Sequence, residues 1–416
     1  MKILCVHSVI SEFGGVEYAA MNLARGLADR GHEVHFLGAQ GQRTNLGPGL
    51  DENLTDHFDE LRKIWFHQRK FPRPFRLGER HNLADKVIWH LRDVADPINE
   101  RIFNEVLQQV APDVIVLHNL TAVGKNIWRP IRESEIPCMQ WVHDLGLICF
   151  NMSRFRHGKQ CSGLCTACRI QKWFRFSLIS GAKNFAFVAP SYATLKDTEN
   201  YANLAAWRRV VIPCPNRYIV KPRARPSEGQ SPRLLYVGRL DPSKGVEPML
   251  HAAERARGKI KFNLDVLGAG TIGDALIQKY SKLEWIKFHG SVDQETVADF
   301  MSRAVALLVP SVWREAYGIV AAHALFAGLP VLASRIGGLP ELISDRQTGR
   351  LLPPGDETAW ADAIIETLTN VEQTDAWSAA CLNAARRLDP DLLIDACENL
   401  LEEMLAEACG ATMRSA

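Results

Sequence analysis

The sequence predicts an α/β chain made of two tandem domains, each with a parallel sheet. Two observations carry this. Short apolar runs alternate with longer segments of helical period, the pattern that builds parallel sheets. An opening of strand, glycine-containing loop and helix also occurs twice, at residues 2–29 and again at 234–256. The 416 residues suffice for two or three domains of about 100–200 residues each.

The first strand is the apolar run Lys2–Val6. Gly14-Gly15 opens a helix from Val16 to Asp29, in which Ala19, Leu23 and Leu27 recur four apart on one face. Gly31 stands where the residue after a helix turns left-handed, and Glu33–Leu37 resumes as strand. Further buried runs are Val114–Leu117, Met139–Val142 and Phe187–Ala189. A first domain over 1–215 ends in a linker over 216–232, whose stretch KPRARPSEGQSP is rich in Pro, Ser, Gly and charge. The second domain, 233–390, restarts the pattern with strand Leu234–Val237, loop Gly238–Gly245 and helix Val246–Ala256. Its further strands are Leu264–Leu267, Trp285–Phe288, Val305–Val309 and Pro330–Ala333. Within the final segment, 391–416, an acidic helix over 391–409 puts Leu393, Cys397, Leu400, Leu401, Met404 and Leu405 on one stripe.

Composition narrows the class. Hydrophobic residues at 47% and charged residues at 23% exclude a disordered chain. With 49 basic and 47 acidic side chains the net charge is +2, which argues against a protein that coats nucleic acid. Residues 1–8 hold one lysine and no apolar core of a secretory signal. The longest apolar window, Ala316–Ala333, contains Gly318, His323, Gly328 and Pro330, so it reads as helix, turn and strand rather than a membrane span. A cytoplasmic chain is expected, with its ten cysteines as thiols or metal ligands rather than disulfides.

The chemistry concentrates in the second domain. Gly238-Arg239 and Lys244 lie on the loop after a strand, the edge of an open α/β sheet where ligands bind. Two cations there suit a diphosphate. Pro310–Gly318 and Ser334–Glu341 each follow a buried strand and lead into a helix, presenting free backbone N–H groups to an anion. Glu315 sits on the first of these loops. A carboxylate beside a phosphate site makes sense as the acceptor of hydrogen bonds from sugar hydroxyls.

The ordered set of the early Gly-Gly turn, the Gly238-Arg239…Lys244 loop, Gly268-Ala269-Gly270, Phe288-His289-Gly290, Pro310-Ser311…Glu315 and Gly337-Gly338-Leu339-Pro340-Glu341 resembles the family 4 retaining glycosyltransferases (glycosyltransferase group 1) over most of the chain. The resemblance implies the GT-B fold, two Rossmann-like domains facing across a cleft, with the last helix crossing back to the first domain. It also implies that Arg239 and Lys244 hold the donor diphosphate as it leaves and that Glu315 binds donor-sugar hydroxyls. Gly238, Gly268, Gly318, Ile319, Val320, Gly337 and Gly338 would face phosphate or sugar. Val292 would touch the base, and Gly14 and Gly15 would close over the phosphates from the first domain. The family places a second glutamate eight residues after the first, on the nucleotide ribose; here that position is His323. A neutral imidazole can accept or donate one such bond but cannot replace a two-oxygen carboxylate. His323 is thus an altered ribose contact, a sign of an unusual nucleotide, a mark of lost activity, or a helix histidine packed away from the ligand.

In the first domain, His118-Asn119 and His143-Asp144 each follow a buried strand and should sit at the sheet's carboxyl edge. The resemblance places His143, and after it His118, near the donor sugar; His118 and Asp144 are also candidates for the acceptor. Cys149, Cys161, Cys165 and Cys168, spaced C-x11-C-x3-C-x2-C, suit a structural zinc. No metal is expected to serve catalysis. Residues 61–80 carry seven cations and one acid interleaved with Trp65, Phe66, Phe71 and Phe75. Arg69, Lys70 and Arg73 in that stretch suit an anionic membrane surface or a polyprenyl-diphosphate-linked acceptor. The expected reaction moves a sugar from a nucleotide-diphosphate sugar to a hydroxyl of a glycan or lipid-linked glycan. The rivals are a nucleotide-sugar epimerase of the same fold and a decayed sugar-nucleotide-binding protein.

Overall fold

The computed structural model describes residues 1–8, 15–40, 50–51, 62–67, 96–120, 123–156, 158–223 and 230–415. Gly14, Arg69, Lys70, Arg73 and linker residues 224–229 lie outside the described residues.

The first half contributes β1 (Lys2–His7), β2 (Glu33–Gln40), β3 (Leu50–Asp51), β4 (Arg62–His67), β5 (Val114–Leu117) and β6 (Cys138–Trp141). A small hairpin of β7 (Phe155–Arg156) and β8 (Lys159–Gln160) stands apart, followed by β9 (Phe185–Ala189) and β10 (Arg208–Val211). The sheet order is β10-β9-β6-β5-β1-β2-β4-β3. Every pairing in it is parallel except the short β3 edge. Strands β5, β6 and β9 are buried along their whole length. Helices cover both faces of such a sheet, which is why these strands read as continuous apolar runs rather than alternating ones.

The second half builds β11 (Arg233–Val237), β12 (Asn263–Leu267), β13 (Ile286–Gly290), β14 (Ala306–Val309), β15 (Val331–Ser334) and β16 (Gly349–Leu352) into an all-parallel sheet of order β13-β12-β11-β14-β15-β16. Strand order reverses between β11 and β14 here, and between β1 and β5 in the first half. Those reversal points open a crevice at the carboxyl ends of the strands, the usual ligand position of doubly wound sheets. The window 316–333 resolves into helix Ile319–Phe326 and strand β15, and no described helix is long and apolar enough to cross a membrane.

One element departs from the sequence reading. The front of the basic stretch is strand β4, paired in parallel with β2 from His35↔Arg62 to Gln40↔His67. Its Ile64-Trp65-Phe66 core has the β-branched and aromatic character that favours strands, which a count of charges conceals.

The two halves share core. One apolar cluster runs from Ile3, Leu23 and Phe36 through Ile394 and Leu401 to Leu325 and Val331. Its bridge is the final helix, Pro390–Ser415, which lies along helix Gly15–Asp29 of the first half. Polar contacts fix its register. Arg30 Nη2 donates to Asp395 at 2.5 Å, His32 Nε2 lies 2.7 Å from Glu398, and Arg208 Nη1 donates to Glu403 at 2.9 Å.

Candidate functional site

The loops leaving β11 and β14 are stitched together by backbone. Val312 N and Trp313 N both donate to the Ser243 carbonyl, at 3.0 and 3.2 Å. This brings Lys244 Nζ to 2.5 Å from Glu315 Oε1, and Ser311 Oγ donates to the same oxygen at 2.6 Å. The Lys244 ammonium also lies over the Trp313 ring, 4.9 Å from its centroid. Glu315 is only 8% exposed. Burial by itself would raise its carboxyl, but the Lys244 charge and the hydrogen bonds from Lys244 and Ser311 hold it below the usual range. The pair is therefore an ionised carboxylate and a cation, kept partly dry.

Gly337 makes this placement possible from below. Its φ is +59°, and a Cβ there would stand 2.1 Å from the Glu315 carbonyl oxygen. That carbonyl instead accepts from Gly338 N at 2.8 Å. Gly318, at φ +100°, then starts helix Ile319–Phe326 with no side-chain cap. Its first N–H groups thus point at the crevice without a protein side chain on them. Helix Gly15–Asp29 begins opposite, so close that a Cβ on Gly15 would lie 2.6 Å from Ile319 Cδ1. Two helix N-termini beside a lysine form an anion-binding corner.

The other residues expected on the donor side lie at the ends of the neighbouring strands and in the helix that follows. Gly238 N donates to Leu267 O at 3.0 Å and Gly268 N to Gly290 O at 2.7 Å, which ties the ends of β11, β12 and β13. Val292, half-buried on the loop after β13, packs against the large apolar cluster. Ile319 and Val320 form the first turn of the helix. Arg239 is more exposed than Lys244. Its side chain is 67% exposed, with Nη1 3.1 Å from Asp241. Its charge still reaches Glu17 of the opposite helix, whose carboxyl is raised by burial and by Asp144 and lowered by Arg239.

His323, expected on the ribose, is engaged elsewhere. Its Nε2 lies 2.8 Å from the Ile219 carbonyl, and the ring stacks on Tyr218 at 4.8 Å and 14°. Burial lowers its pKa, so the imidazole is neutral, and Nε2 must carry the proton to donate to that carbonyl. The helix histidine thus braces the connection between the halves.

In the first half, His118 and His143 come together as expected of neighbouring strand ends. His118 Nδ1 and His143 Nε2 are 2.8 Å apart. Trp141 stacks on both rings, and His7, at the end of β1, is 6.0 Å from His118. Burial pushes the His143 pKa down to about 3 and that of His118 well below the ordinary value, with His7 lowering both further. One neutral ring must donate to the other. His118 Nε2 and Trp141 Nε1 are buried without a hydrogen-bond partner. With Asp144, Lys125 and Arg175, His118, Trp141 and His143 line a half-open pocket. Burial raises the Asp144 carboxyl, and the Gly146 N–H, Arg175 and Lys125 counter it. His7 and Arg175 were not anticipated, and Ser311 was named only as part of the Pro310-Ser311…Glu315 motif. The rule that found His118 and His143, a histidine ending a buried strand, applies equally to His7. Nothing local marks Arg175, on a helix far along the chain.

Three of the four cysteines that the sequence marks for a structural zinc lie together. Cys168 contacts both Cys149 and Cys165, and Phe150 N and Arg154 N point at the Cys168 and Cys149 sulfurs at 3.3 Å each. Yet no group of three or more His, Cys, Asp or Glu side chains among the described residues is disposed to hold a metal ion. Cys149 and Cys168 are buried, Cys165 is exposed at the start of helix Thr166–Leu178 and Cys161 is half-buried.

Comparison with known proteins agrees with this geometry. A family model described as Glycosyltransferase Family 4 matches residues 13–215, and one described as Glycosyl transferases group 1 matches 231–370. An uncharacterized 42.6 kDa protein in the cps region of Klebsiella pneumoniae is 23% identical over 85% of this chain and 88% of its own. The phosphatidyl-myo-inositol mannosyltransferase of Mycobacterium leprae is 33% identical, over 38% of this chain and 42% of that relative. Among solved structures, sucrose-phosphate synthase from Thermosynechococcus elongatus superposes with TM-score 0.76 at 19% identity, covering 98% of this chain and 100% of that one. Anabaena Alr3699/HepE in complex with UDP gives 0.67 at 16%, covering 97% and 100%. These structural matches establish the GT-B arrangement.

Proposed function

Since the chain belongs to the family 4, group 1 glycosyltransferases, we propose that it moves a sugar from a nucleoside-diphosphate sugar to a hydroxyl of a glycan or lipid-linked glycan, with retention of anomeric configuration. The observation that carries this is the Lys244–Glu315 pair beside the N-termini of helices Gly15–Asp29 and Ile319–Phe326. The UDP complex of a structural neighbour supports the donor class, and the cps-region relative supports a setting in polysaccharide assembly.

In this reading the Lys244 ammonium turns from Glu315 to the diphosphate, and the helix N–H groups share the charge as it leaves. Glu315, released, accepts hydrogen bonds from donor-sugar hydroxyls. The leaving diphosphate takes the acceptor's proton while the acceptor attacks from the same face, so no protein nucleophile is needed, and positioning carries much of the rate. His143, neutral beside His118, faces the sugar as a hydrogen-bonding group rather than as a cation. Arg69, Lys70 and Arg73 meet a polyprenyl diphosphate or an anionic surface.

A binding protein without turnover is the second reading. It is favoured by His323, whose Nε2 is held by Ile219 rather than left for a ribose. A melting panel of UDP, GDP, ADP, dTDP and CMP with their common sugars separates the two. A ligand at 100 times its Kd adds about 2.7 kcal/mol to the state that binds it. One nucleotide family should raise Tm by several degrees, and acceptor-dependent release of the diphosphate should follow. Binding without release under any acceptor would support the second reading, and no shift at all in folded protein would sink both.

A further inference from the structure

The segment Gly337-Gly338-Leu339-Pro340-Glu341 does more than bound the donor loop. Glu341 belongs to the second half, on the short helix Leu339–Leu342. Its carboxylate reaches the first half, where Oε2 accepts from Tyr192 N at 2.8 Å and Oε1 from Ala193 N at 2.7 Å. These N–H groups open helix Tyr192–Glu199, whose own cap Ser191 serves only Thr194 N, at 3.1 Å. Two of the helix's orphan donors are therefore satisfied by a charge from the other half, which also suits the positive end of the helix.

Three neighbouring contacts point the same way. Ser191 Oγ and Thr194 Oγ1 donate to the Ala316 carbonyl at 2.6 and 2.9 Å. Arg314 Nε pairs with Asp197, a carboxylate that is 94% buried by its 6% exposure. Gly338 fits because it lacks a side chain: a Cβ there would lie 2.6 Å from the Ala316 oxygen and 3.0 Å from Ser191. Arg387 Nη2 steadies the short helix by donating to the Glu341 and Leu342 carbonyls at 2.7 and 3.2 Å. Arg314 and Ala316 flank Glu315, so the first half grips the second on either side of that carboxylate.

We propose that Glu341 is a positioning residue: with Arg314–Asp197 it clamps helix Tyr192–Glu199 onto the Arg314–Ala316 backbone and so sets Glu315 in the closed cleft. The catalytic consequence rests on the reading of Glu315 as the group that holds the donor sugar. Hydrogen exchange on the full chain, without substrate, tests the clamp. In Glu341→Ala the amides of 192–194 should lose about tenfold protection, as expected when a helix cap is removed. Segment 312–318 should lose protection with them, while β9 and β14 keep theirs. Asp197→Asn should give the same pattern from the other side, and Glu341→Gln, with one acceptor oxygen left, a smaller loss. A change confined to 192–194 would reduce Glu341 to a local cap and overturn the proposal, as would no change. If Glu341→Ala loses protection throughout, Asp197→Asn decides between the same two outcomes. In turnover, Glu341→Ala should lower kcat while the affinity for UDP or another shifting nucleoside diphosphate stays within about twofold, because Lys244 and the N-terminus of helix Ile319–Phe326, both in the second half, keep their contacts to the diphosphate. A matching loss of nucleotide affinity would count against the clamp. The exchange result needs no donor, so its failure leaves the glycosyltransferase reading standing, and a failed nucleotide panel leaves the clamp standing.

Discussion

At the scale of single residues, the Lys244–Glu315 pair dominates. Glu315→Gln keeps the shape but removes the charge, leaving Lys244 beside a neutral amide. Turnover should fall about 10²–10³-fold if the carboxylate acts mainly in the transition state. Nucleotide binding in a melting assay should persist; an activity within tenfold of wild type would refute the role. Lys244→Met strands a buried carboxylate, so it should lose the nucleotide-induced shift and raise the Glu315 pKa. The paired histidines set a pH dependence. His143 titrates near 3 in the fold and about 6.5 when unfolded. Between those values the unfolded chain binds the extra proton, so stability is full above about pH 6.5 and falls on acidification at up to about 1.4 kcal/mol per pH unit for this group. Denaturant midpoints followed from pH 7 to 4.5 should show this slope, and His143→Asn should reduce it. An unchanged slope would mean the ring protonates without penalty. Glu315 and Lys244 were legible in the sequence because loop position and residue type suffice to name them. The partner of His323 was not, because its Ile219 carbonyl lies 104 residues away.

At the scale of elements, glycine positions and strand ends carry the site. Gly337→Ala should cost about 1–2 kcal/mol for its left-handed φ alone, and more because the neighbour of the new Cβ is the Glu315 backbone. Its Tm should fall, and nucleotide affinity with it; a variant as stable as wild type would show that the loop can relax. The cysteine segment gives a second prediction at this scale. Cys165 is exposed, and backbone N–H groups and the thiol of Cys168 lower its pKa, whereas burial drives Cys168 up to about 12. Cys165 should therefore be the first of the four to be alkylated at neutral pH, by mass spectrometry of short iodoacetamide pulses. Spacing groups the four as candidate ligands; burial, which spacing does not report, makes their thiols unequal in reactivity. Strand β4 was missed for the opposite reason, since charge drew attention from its apolar centre.

At the scale of the whole molecule, the final helix joins both halves. Ile394 is fully buried against the first half, so Ile394→Ala should cost about 2–5 kcal/mol. Calorimetry should show one lowered transition if the halves unfold together, and two separated transitions if the helix merely decorates one of them. By itself the sequence determined the two parallel-sheet domains, the carboxyl-edge loops and the places of Lys244, Glu315, His118 and His143 on them. Each of these depends on periodicity or on residue type next to a strand, and both are local. Only the tertiary structure decided that Lys244 turns inward while Arg239 faces solvent, that His323 braces the linker, and that Glu341 caps a helix 148 residues earlier in the chain. Such contacts arise where two folded surfaces meet. Their energies belong to pairs of residues distant in sequence, which no local pattern records.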